Sequence, residues 1–204
     1  MLRLYDYLPS GNGYKVRLLL TQLSIPFERI ELDILKGETR TPEFLTKNPN
    51  GRIPLLELES GQFLAQSNAI LFYFSEGTEF LPNDRFLRAQ ILQWLFFEQY
   101  SHEPNIATSR FWISILGKVE EYRHAREQKL QLGYAALTEM EKHLTSHTFF
   151  VDEHYTIADI GLYAYTHVAD EGGFDLTKFP AIQAWLERVK AQPRHIKITD
   201  NTIS

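Results

Sequence analysis

The 204-residue sequence contains no cysteine. Without a thiol the chain has no disulfide scaffold, no thiolate zinc site and no cysteine nucleophile. Enzymes that reduce disulfides or dehydroascorbate through a thiol of their own are therefore excluded as models for this protein.

Several other features are absent. No apolar stretch approaches the roughly 20 residues of a membrane-spanning helix, and residues 1–10 lack a charged region followed by an apolar one. The net charge is -5 and the basic residues are dispersed, so no basic surface for nucleic acid is expected. The seven histidines show no metal-ligand spacing. We therefore expect a cytoplasmic protein with no metal, no membrane contact and no nucleic-acid partner.

The residues that are present predict an α/β first domain. Hydrophobic residues make up 44% of the chain, enough for one or two sizeable cores. The pattern predicts a strand, a helix ending before Pro26, a second strand, a short helix, a strand after Pro54, a hairpin turn at Ser60-Gly61 and a helix. Strand–helix–strand followed by strand–strand–helix is the order of a thioredoxin-like domain. The first two strands are predicted over 2–7 and 27–32, and the short helix over 42–47.

The rest of the chain predicts helices alone. Residues 77–84 form the one composition break that is typical of a linker. The predicted helices span 85–116, 118–145, 156–171 and 180–192. Pro104 is expected to interrupt the first of these helices, and Thr156 with Asp159 has the form of a capping box. We predict a first domain over 1–77, a linker over 78–87 and an all-helical domain over 88–204.

Residues 48–70 have the pattern of a small-ligand site. Ile53-Pro54 opens an apolar strand, and a cis bond there would turn the backbone groups of the preceding residue toward a ligand. Ser67 is expected as the N-cap of the next helix, whose unpaired N–H groups favour a carboxylate. By itself, this serine is more simply explained as a cap that binds nothing.

Two motifs in this region resemble those of the glutathione transferase family. Asn48 to Pro54, NPNGRIP, is similar to the family's NPxGxVP segment, and Gln66 to Ile70, QSNAI, is similar to its [EQ]SxAI segment. The resemblance implies the two-domain fold, glutathione as a co-substrate, a small hydrophobic electrophile and a homodimer. It also implies that Gln66 and Ser67 hold the γ-glutamyl end, and that the Ile53 backbone beside Pro54 pairs with the cysteinyl part.

A glutathione transferase must favour the thiolate of its co-substrate. Near neutral pH only a few per cent of an ordinary thiol is ionised, and one hydroxyl donor at a helix N-terminus can lower the thiol pKa. Ser10 is the first candidate and Asn12 the second, while Tyr5 and Tyr7 remain alternatives. Ser10 to Arg17 is similar to the SSCSWRVR segment of the zeta class, from which it departs at Gly11 and Asn12.

The remaining predicted contacts are less specific. Arg52 is a candidate for the glycyl carboxylate, with a solvent-exposed arginine as the alternative, and Lys36 or Arg40 is a further basic candidate. Tyr100 and Phe111 are candidates for the electrophile pocket, although aromatic residues at helical spacing also serve as core.

Two other functions share this fold. One is a non-catalytic binding or regulatory protein, and the other is an isomerase that uses glutathione without consuming it. Fold alone does not separate them from a transferase that conjugates electrophiles or reduces peroxides.

Overall fold

The computed structural model describes residues 1–201 as two compact units. We call them unit 1, which comprises Met1–Glu76 and the segment from Pro193 onward, and unit 2, which comprises Gly77–Gln192. The thioredoxin-like first domain and the all-helical second domain predicted from the sequence are both confirmed. Unit 1 differs from the predicted first domain because it also contains the C-terminal segment.

Unit 1 is built on a four-stranded sheet with the order β2-β1-β3-β4. β1 runs parallel to β2 and antiparallel to β3, and β3 pairs antiparallel with β4. The parallel pairing follows from the helix between the first two strands, as the sequence predicted. The strands are β1 Leu2–Asp6, β2 Phe27–Glu31, β3 Leu55–Glu57 and β4 Phe63–Ala65.

Three helices cover this sheet: α1 Gly11–Gln22, α2 Pro42–Lys47 and α3 Ser67–Ser75. Leu2 and Leu4 point to one face of the sheet, where they pack in a core with residues of α1 and α3. Tyr5 points to the opposite face and packs in a second core that includes α2. The alternation along β1 therefore places α1 on a defined face, with its N-terminus after the end of the strand.

Unit 2 consists of helices. They are α4 Arg85–Phe97, α5 Glu103–Arg110, α6 Arg123–Leu144, α7 Ile157–Thr166 and α8 Pro180–Lys190. Within residues 1–201, none of the helices has both the length and the apolar character needed to cross a membrane.

The predicted interruption at Pro104 takes the form of a wider helical turn. A π-helical turn spans Glu98–His102, where the Glu103 N–H donates to the Glu98 carbonyl five residues back. Proline has no N–H and its ring crowds the carbonyl four residues earlier, so the regular ladder opens before it. The chain then continues as α5 without a loop.

The predicted capping box at α7 is present. Asp159 is fully buried, accepts from the Thr156 N–H at 3.0 Å, and accepts from the Trp185 indole N–H at 2.9 Å. Burial raises the pKa of Asp159 to about 6, against the opposing effect of these donors. This carboxyl therefore holds α7 and α8 together.

The C-terminal segment of residues 193–201 packs on α1. The Tyr14 hydroxyl donates to the Ile196 carbonyl at 2.7 Å, and the Arg17 guanidinium donates to the Ile198 carbonyl at 3.0 Å. The sequence predicts this segment as part of the all-helical domain. Its attachment to α1 is made by backbone carbonyls, and these leave no signal in the pattern of side chains.

Candidate functional site

Ser10 is the N-cap of α1. Its own N–H donates to the Tyr7 carbonyl at 2.7 Å, and its Oγ accepts from the Gly13 N–H at 3.2 Å. The side chain is partly exposed. Since this capping bond uses only the oxygen, the hydroxyl hydrogen is available for an acceptor placed before the helix. The positive end of the α1 dipole lies at the same place.

A buried ion pair supports this turn from below. Arg17 Nε lies 2.9 Å from Asp6 Oδ2, and both side chains are 0% exposed. Arg17 Nη2 also donates to the Leu8 carbonyl at 2.7 Å, two residues before Ser10. Burial raises the pKa of Asp6, and Arg17 opposes that rise. The pair therefore links the end of β1 to the middle of α1.

Gly13 is required by this arrangement. A Cβ at this position would lie 1.6 Å from Asp6 Oδ1, which is far inside van der Waals contact. The missing side chain lets the carboxylate sit directly beneath the first turn of α1.

A polar cluster joins the start of α1 to the start of α3. Lys15 Nζ donates to Asn12 Oδ1 at 2.8 Å and to Ser67 Oγ at 3.3 Å. The Ser67 hydroxyl lies 3.2 Å from the same Asn12 oxygen, and Lys15 Nζ lies 3.4 Å from Asn68 Oδ1. Two predicted site residues that are 55 positions apart, Asn12 and Ser67, are therefore in direct contact.

The hairpin brings the two family-like motifs together. Leu55 pairs with Ala65 in the antiparallel register, so Pro54 lies opposite Gln66. The Ile53-Pro54 bond is cis. The approach of these two motifs follows from the short β3–β4 turn.

The expectation that Ser67 is an N-cap is wrong. Gln66 occupies that position with a φ of 73° and makes no side-chain capping bond, and Ser67 is the first residue of α3. The Ser67 hydroxyl instead bonds to Asn12 and Lys15. With Gln66 as the N-cap, at a positive φ, the helix starts one residue earlier than it would with Ser67 as the cap.

The basic candidates differ in their surroundings. Arg52 is exposed, and its carbonyl accepts from Asn48 Nδ2 at 2.8 Å. Arg40 Nη1 donates to the Asn50 carbonyl at 3.1 Å, which places this guanidinium at the same loop. Lys36 forms a surface ion pair with Asp33 at 3.0 Å. Arg40 and Arg52 are therefore the two candidates beside the Pro54 loop.

The two tyrosines in and after β1 have different roles. The Tyr5 hydroxyl donates to Oε2 of Glu57, a residue of the neighbouring strand β3, at 2.8 Å. Burial and this carboxylate raise the pKa of Tyr5. The backbone carbonyl of Tyr7 holds the Ser10 N–H. These contacts favour Ser10 over Tyr5 as the thiolate donor.

The two aromatic candidates for an electrophile pocket both lie in π-helical turns of unit 2. Tyr100 is 87% exposed, within Glu98–His102, and Phe111 is partly exposed, within Phe111–Ile115. Their role in a pocket stays a prediction. Over residues 1–201, no cluster of side chains has the composition of a metal site.

Lys15 and the Asp6–Arg17 pair are the elements that sequence reasoning missed. A signal for them exists in the segment Tyr14 to Leu20, YKVRLLL, where two cations stand among apolar residues. The structure buries nearly every side of α1. Cations on a helix that is buried on nearly every side need polar partners, and the structure provides Asp6 for Arg17 and both Asn12 and Ser67 for Lys15.

A thioredoxin-like unit with a cis-proline loop, combined with an all-helical unit, defines a two-domain class of protein. Residues 1–76 match the model of the glutathione S-transferase N-terminal domain, and residues 90–193 match that of the C-terminal domain. The chain belongs to the glutathione S-transferase family.

Three similar proteins illustrate the range of the family. A crystal structure of a glutathione S-transferase from Pseudomonas fluorescens is 53% identical, with a TM-score of 0.96 over 98% of this chain and 99% of that chain. The disulfide-bond oxidoreductase YfcG of Escherichia coli is 30% identical over 95% of this chain and 92% of its own length. The structure of Ure2p in complex with S-hexylglutathione is 25% identical, with a TM-score of 0.87 over 98% of both chains.

Proposed function

We propose that the protein is a glutathione transferase that binds glutathione in unit 1 and holds its thiol as the thiolate. The observation that carries this proposal is the position of the Ser10 hydroxyl at the N-cap of α1, next to the polar cluster of Asn12 and Ser67. The fold adds the Pro54 loop opposite Gln66. A similar protein binds S-hexylglutathione, which supports the same ligand here.

Ser10 acts as a donor to sulfur and not as a nucleophile. A hydroxyl whose oxygen already accepts from Gly13 N–H directs its hydrogen outward, and the helix N-terminus adds a partial positive charge. Together these lower the thiol pKa by about one to two units, each equivalent to about 1.4 kcal/mol. The Asn12 amide is the second donor.

The other contacts hold the two ends of glutathione. Gln66 and Ser67 at the start of α3 take the γ-glutamyl carboxylate and amine, because backbone N–H groups of a helix start favour an anion. The Ile53 backbone beside Pro54 pairs with the cysteinyl part, and Arg52 meets the glycyl carboxylate. The thiolate then attacks a small hydrophobic electrophile or reduces an organic peroxide. Tyr100 and Phe111 contribute to the electrophile pocket of a cytoplasmic homodimer.

Binding and conjugation assays test this function. We expect calorimetry to show glutathione binding, and the purified protein to conjugate glutathione to a chlorinated nitrobenzene. Ser10→Ala is expected to lower kcat roughly 10- to 100-fold with little change in glutathione affinity, since one donor to the thiolate is lost. A protein that binds no glutathione would contradict the proposal and favour the regulatory alternative. Turnover of a substrate without glutathione consumption would identify the isomerase.

The relative named as a disulfide-bond oxidoreductase favours a second candidate. A chain without cysteine has no thiol for this reaction, so two glutathione molecules must supply the two thiolates that it needs. One bound thiolate attacks the substrate disulfide, and a mixed disulfide forms as the first substrate thiolate leaves. A second glutathione thiolate then attacks the glutathione sulfur, which gives oxidised glutathione and a second substrate thiol.

Stoichiometry tests this second candidate. With hydroxyethyl disulfide as the substrate, two glutathione molecules are consumed and one oxidised glutathione forms per disulfide reduced. The absence of oxidised glutathione, alongside active conjugation, would reject disulfide reduction and leave the transferase.

A further inference from the structure

Lys15 is a buried cation within the candidate site. Its side chain is 0% exposed. The oxygen atoms that it meets at 2.8, 3.3 and 3.4 Å are Asn12 Oδ1, Ser67 Oγ and Asn68 Oδ1. These residues belong to the start of α1 and the start of α3, where the two ends of the proposed glutathione site meet.

The chemistry of an ammonium fixes which way the Asn12 amide faces. A lysine ammonium has three donors and no acceptor, so the Asn12 atom at 2.8 Å from Nζ must be the carbonyl oxygen. If the amide were turned by 180°, its NH₂ group would face the Lys15 ammonium, and donors would meet with no acceptor between them. The ammonium therefore selects one of the two orientations open to this side chain.

Ser67 strengthens the same selection. Its oxygen accepts from Lys15 Nζ, so its hydrogen is directed to Asn12 Oδ1, 3.2 Å away. The Asn12 oxygen thus receives two donors from opposite ends of the site. Because an amide is planar, its NH₂ group then points away from Lys15. Asn12 is partly exposed and lies within the same first turn of α1 that Ser10 caps.

We propose that Lys15 is a positioning residue for the reaction: it holds the Asn12 carbonyl inward, so that the amide NH₂ of Asn12 is presented to the glutathione sulfur beside the Ser10 hydroxyl. This inference depends on the proposed function. It assigns the thiolate two donors, one from a helix cap and one from an amide whose orientation is set by a buried cation.

A double-mutant cycle on the natural full-length protein separates this role from a structural one. The variants are Lys15→Met, Asn12→Ala and their combination, and the readout is the pKa of bound glutathione, measured from the ultraviolet absorbance of its thiolate. We expect each single variant to raise that pKa by about one unit, which corresponds to roughly tenfold less thiolate. In the combination, the pKa should rise no further than in Asn12→Ala alone.

The combined variant decides between explanations. If Lys15→Met raises the thiol pKa as much in the Asn12→Ala protein as in the natural one, the ammonium acts directly on the sulfur and the proposal is wrong. If Lys15→Met leaves the pKa unchanged, Lys15 only supports the fold and the proposal is again wrong. Lys142→Met provides a matched control, because Lys142 lies on the surface with a 65% exposed side chain paired to Glu139.

A second measurement covers the case in which Lys15→Met does not fold. Asn12→Asp keeps an oxygen for Lys15 and replaces the NH₂ group alone, so it should raise the thiol pKa at least as much as Asn12→Ala. An unchanged pKa in Asn12→Asp would overturn the proposed orientation. The natural protein keeps the two proposals distinct: if it binds no glutathione or leaves the thiol pKa at its solution value, the proposed function itself has failed.

Discussion

Gly13 illustrates how a single residue sets the geometry of the site. A Cβ here would lie 1.6 Å from Asp6 Oδ1, and Asp6 is held in place by Arg17 at 2.9 Å. A Cβ at this position would therefore force the buried Asp6–Arg17 pair to shift. The glycine is needed for space and not for an unusual backbone angle.

We expect Gly13→Ala to lower the free energy of unfolding by about 1 to 3 kcal/mol, the usual cost of overpacking a rigid site. Urea denaturation followed by circular dichroism measures this change. Gly37→Asn is the control, since a Cβ at Gly37 meets nothing within 4 Å and asparagine tolerates its φ of 76°. Equal stability of Gly13→Ala and the natural protein would contradict the packing described for Asp6.

Arg17 is the second residue whose removal has a defined cost. Arg17→Met leaves the fully buried Asp6 carboxylate without its guanidinium and removes the donors to the Leu8 and Ile198 carbonyls. We expect a loss of about 3 to 5 kcal/mol in the free energy of unfolding, because an unpaired buried charge is costly.

Thermal and urea denaturation check this value, with the exposed Arg85→Met as the matched control. A loss no larger than that of Arg85→Met would show that Arg17 does not stabilise the start of α1.

At this scale the sequence predicts residue types better than it predicts contacts. Ser10 was identified as the residue before α1, because caps are local and depend on a few neighbouring positions. The contact between Asn12 and Ser67 depends on the hairpin register and on a lysine that has no local signal. Such contacts between distant residues emerge only once the sheet is assembled.

At the scale of elements, periodicity predicted most of what is observed. The short helix over 42–47 is present as α2, and the alternation of Leu2, Arg3 and Leu4 gave the correct core face of β1. The start of α3 was placed with the wrong cap, since a left-handed Gln66 has no side-chain signature. Helix patterns do not distinguish α from π turns, so the wide turns around α5 were not predicted.

The buried capping box of α7 makes stability depend on pH. The folded protein raises the pKa of Asp159 to about 6 from 3.8, so the folded state binds the proton more tightly than the unfolded chain. The resulting contribution to the free energy of unfolding is fully present below about pH 4 and is lost as the pH rises through about 6.

We therefore expect the free energy of unfolding of the natural protein, relative to Asp159→Asn, to fall by roughly 1 to 3 kcal/mol between pH 4 and pH 6. Urea denaturation at several pH values measures this difference, and the exposed Asp152→Asn serves as the control. A difference that grows as the pH rises would show that the Asp159 pKa is lowered in the folded protein and not raised.

At the scale of the whole molecule, the absence of cysteine gives a direct prediction. The reacting thiol must come from glutathione, because the 204 residues contain none. Treatment with N-ethylmaleimide, followed by its removal before glutathione is added, should leave both conjugation and disulfide reduction unchanged. A glutathione transferase that depends on a cysteine thiol provides the positive control, and loss of activity in the present protein would mean that another nucleophile takes part.

The two-unit organisation was accessible from the sequence, because alternating strands and helices give way to helices alone near residue 77. The attachment of residues 193–201 to unit 1 could not be predicted from the sequence. This segment is held by Tyr14 and Arg17 through its backbone carbonyls, and carbonyls are present at every residue whatever its side chain.

The most direct measurement of the central claim is the titration of the thiol of bound glutathione, in the natural protein and in Ser10→Ala. We predict a thiol pKa about one to two units below the solution value in the natural protein, and a rise of about one unit toward that value in Ser10→Ala. An identical pKa in the two proteins, with glutathione bound in both, would contradict the role assigned to the hydroxyl at the start of α1.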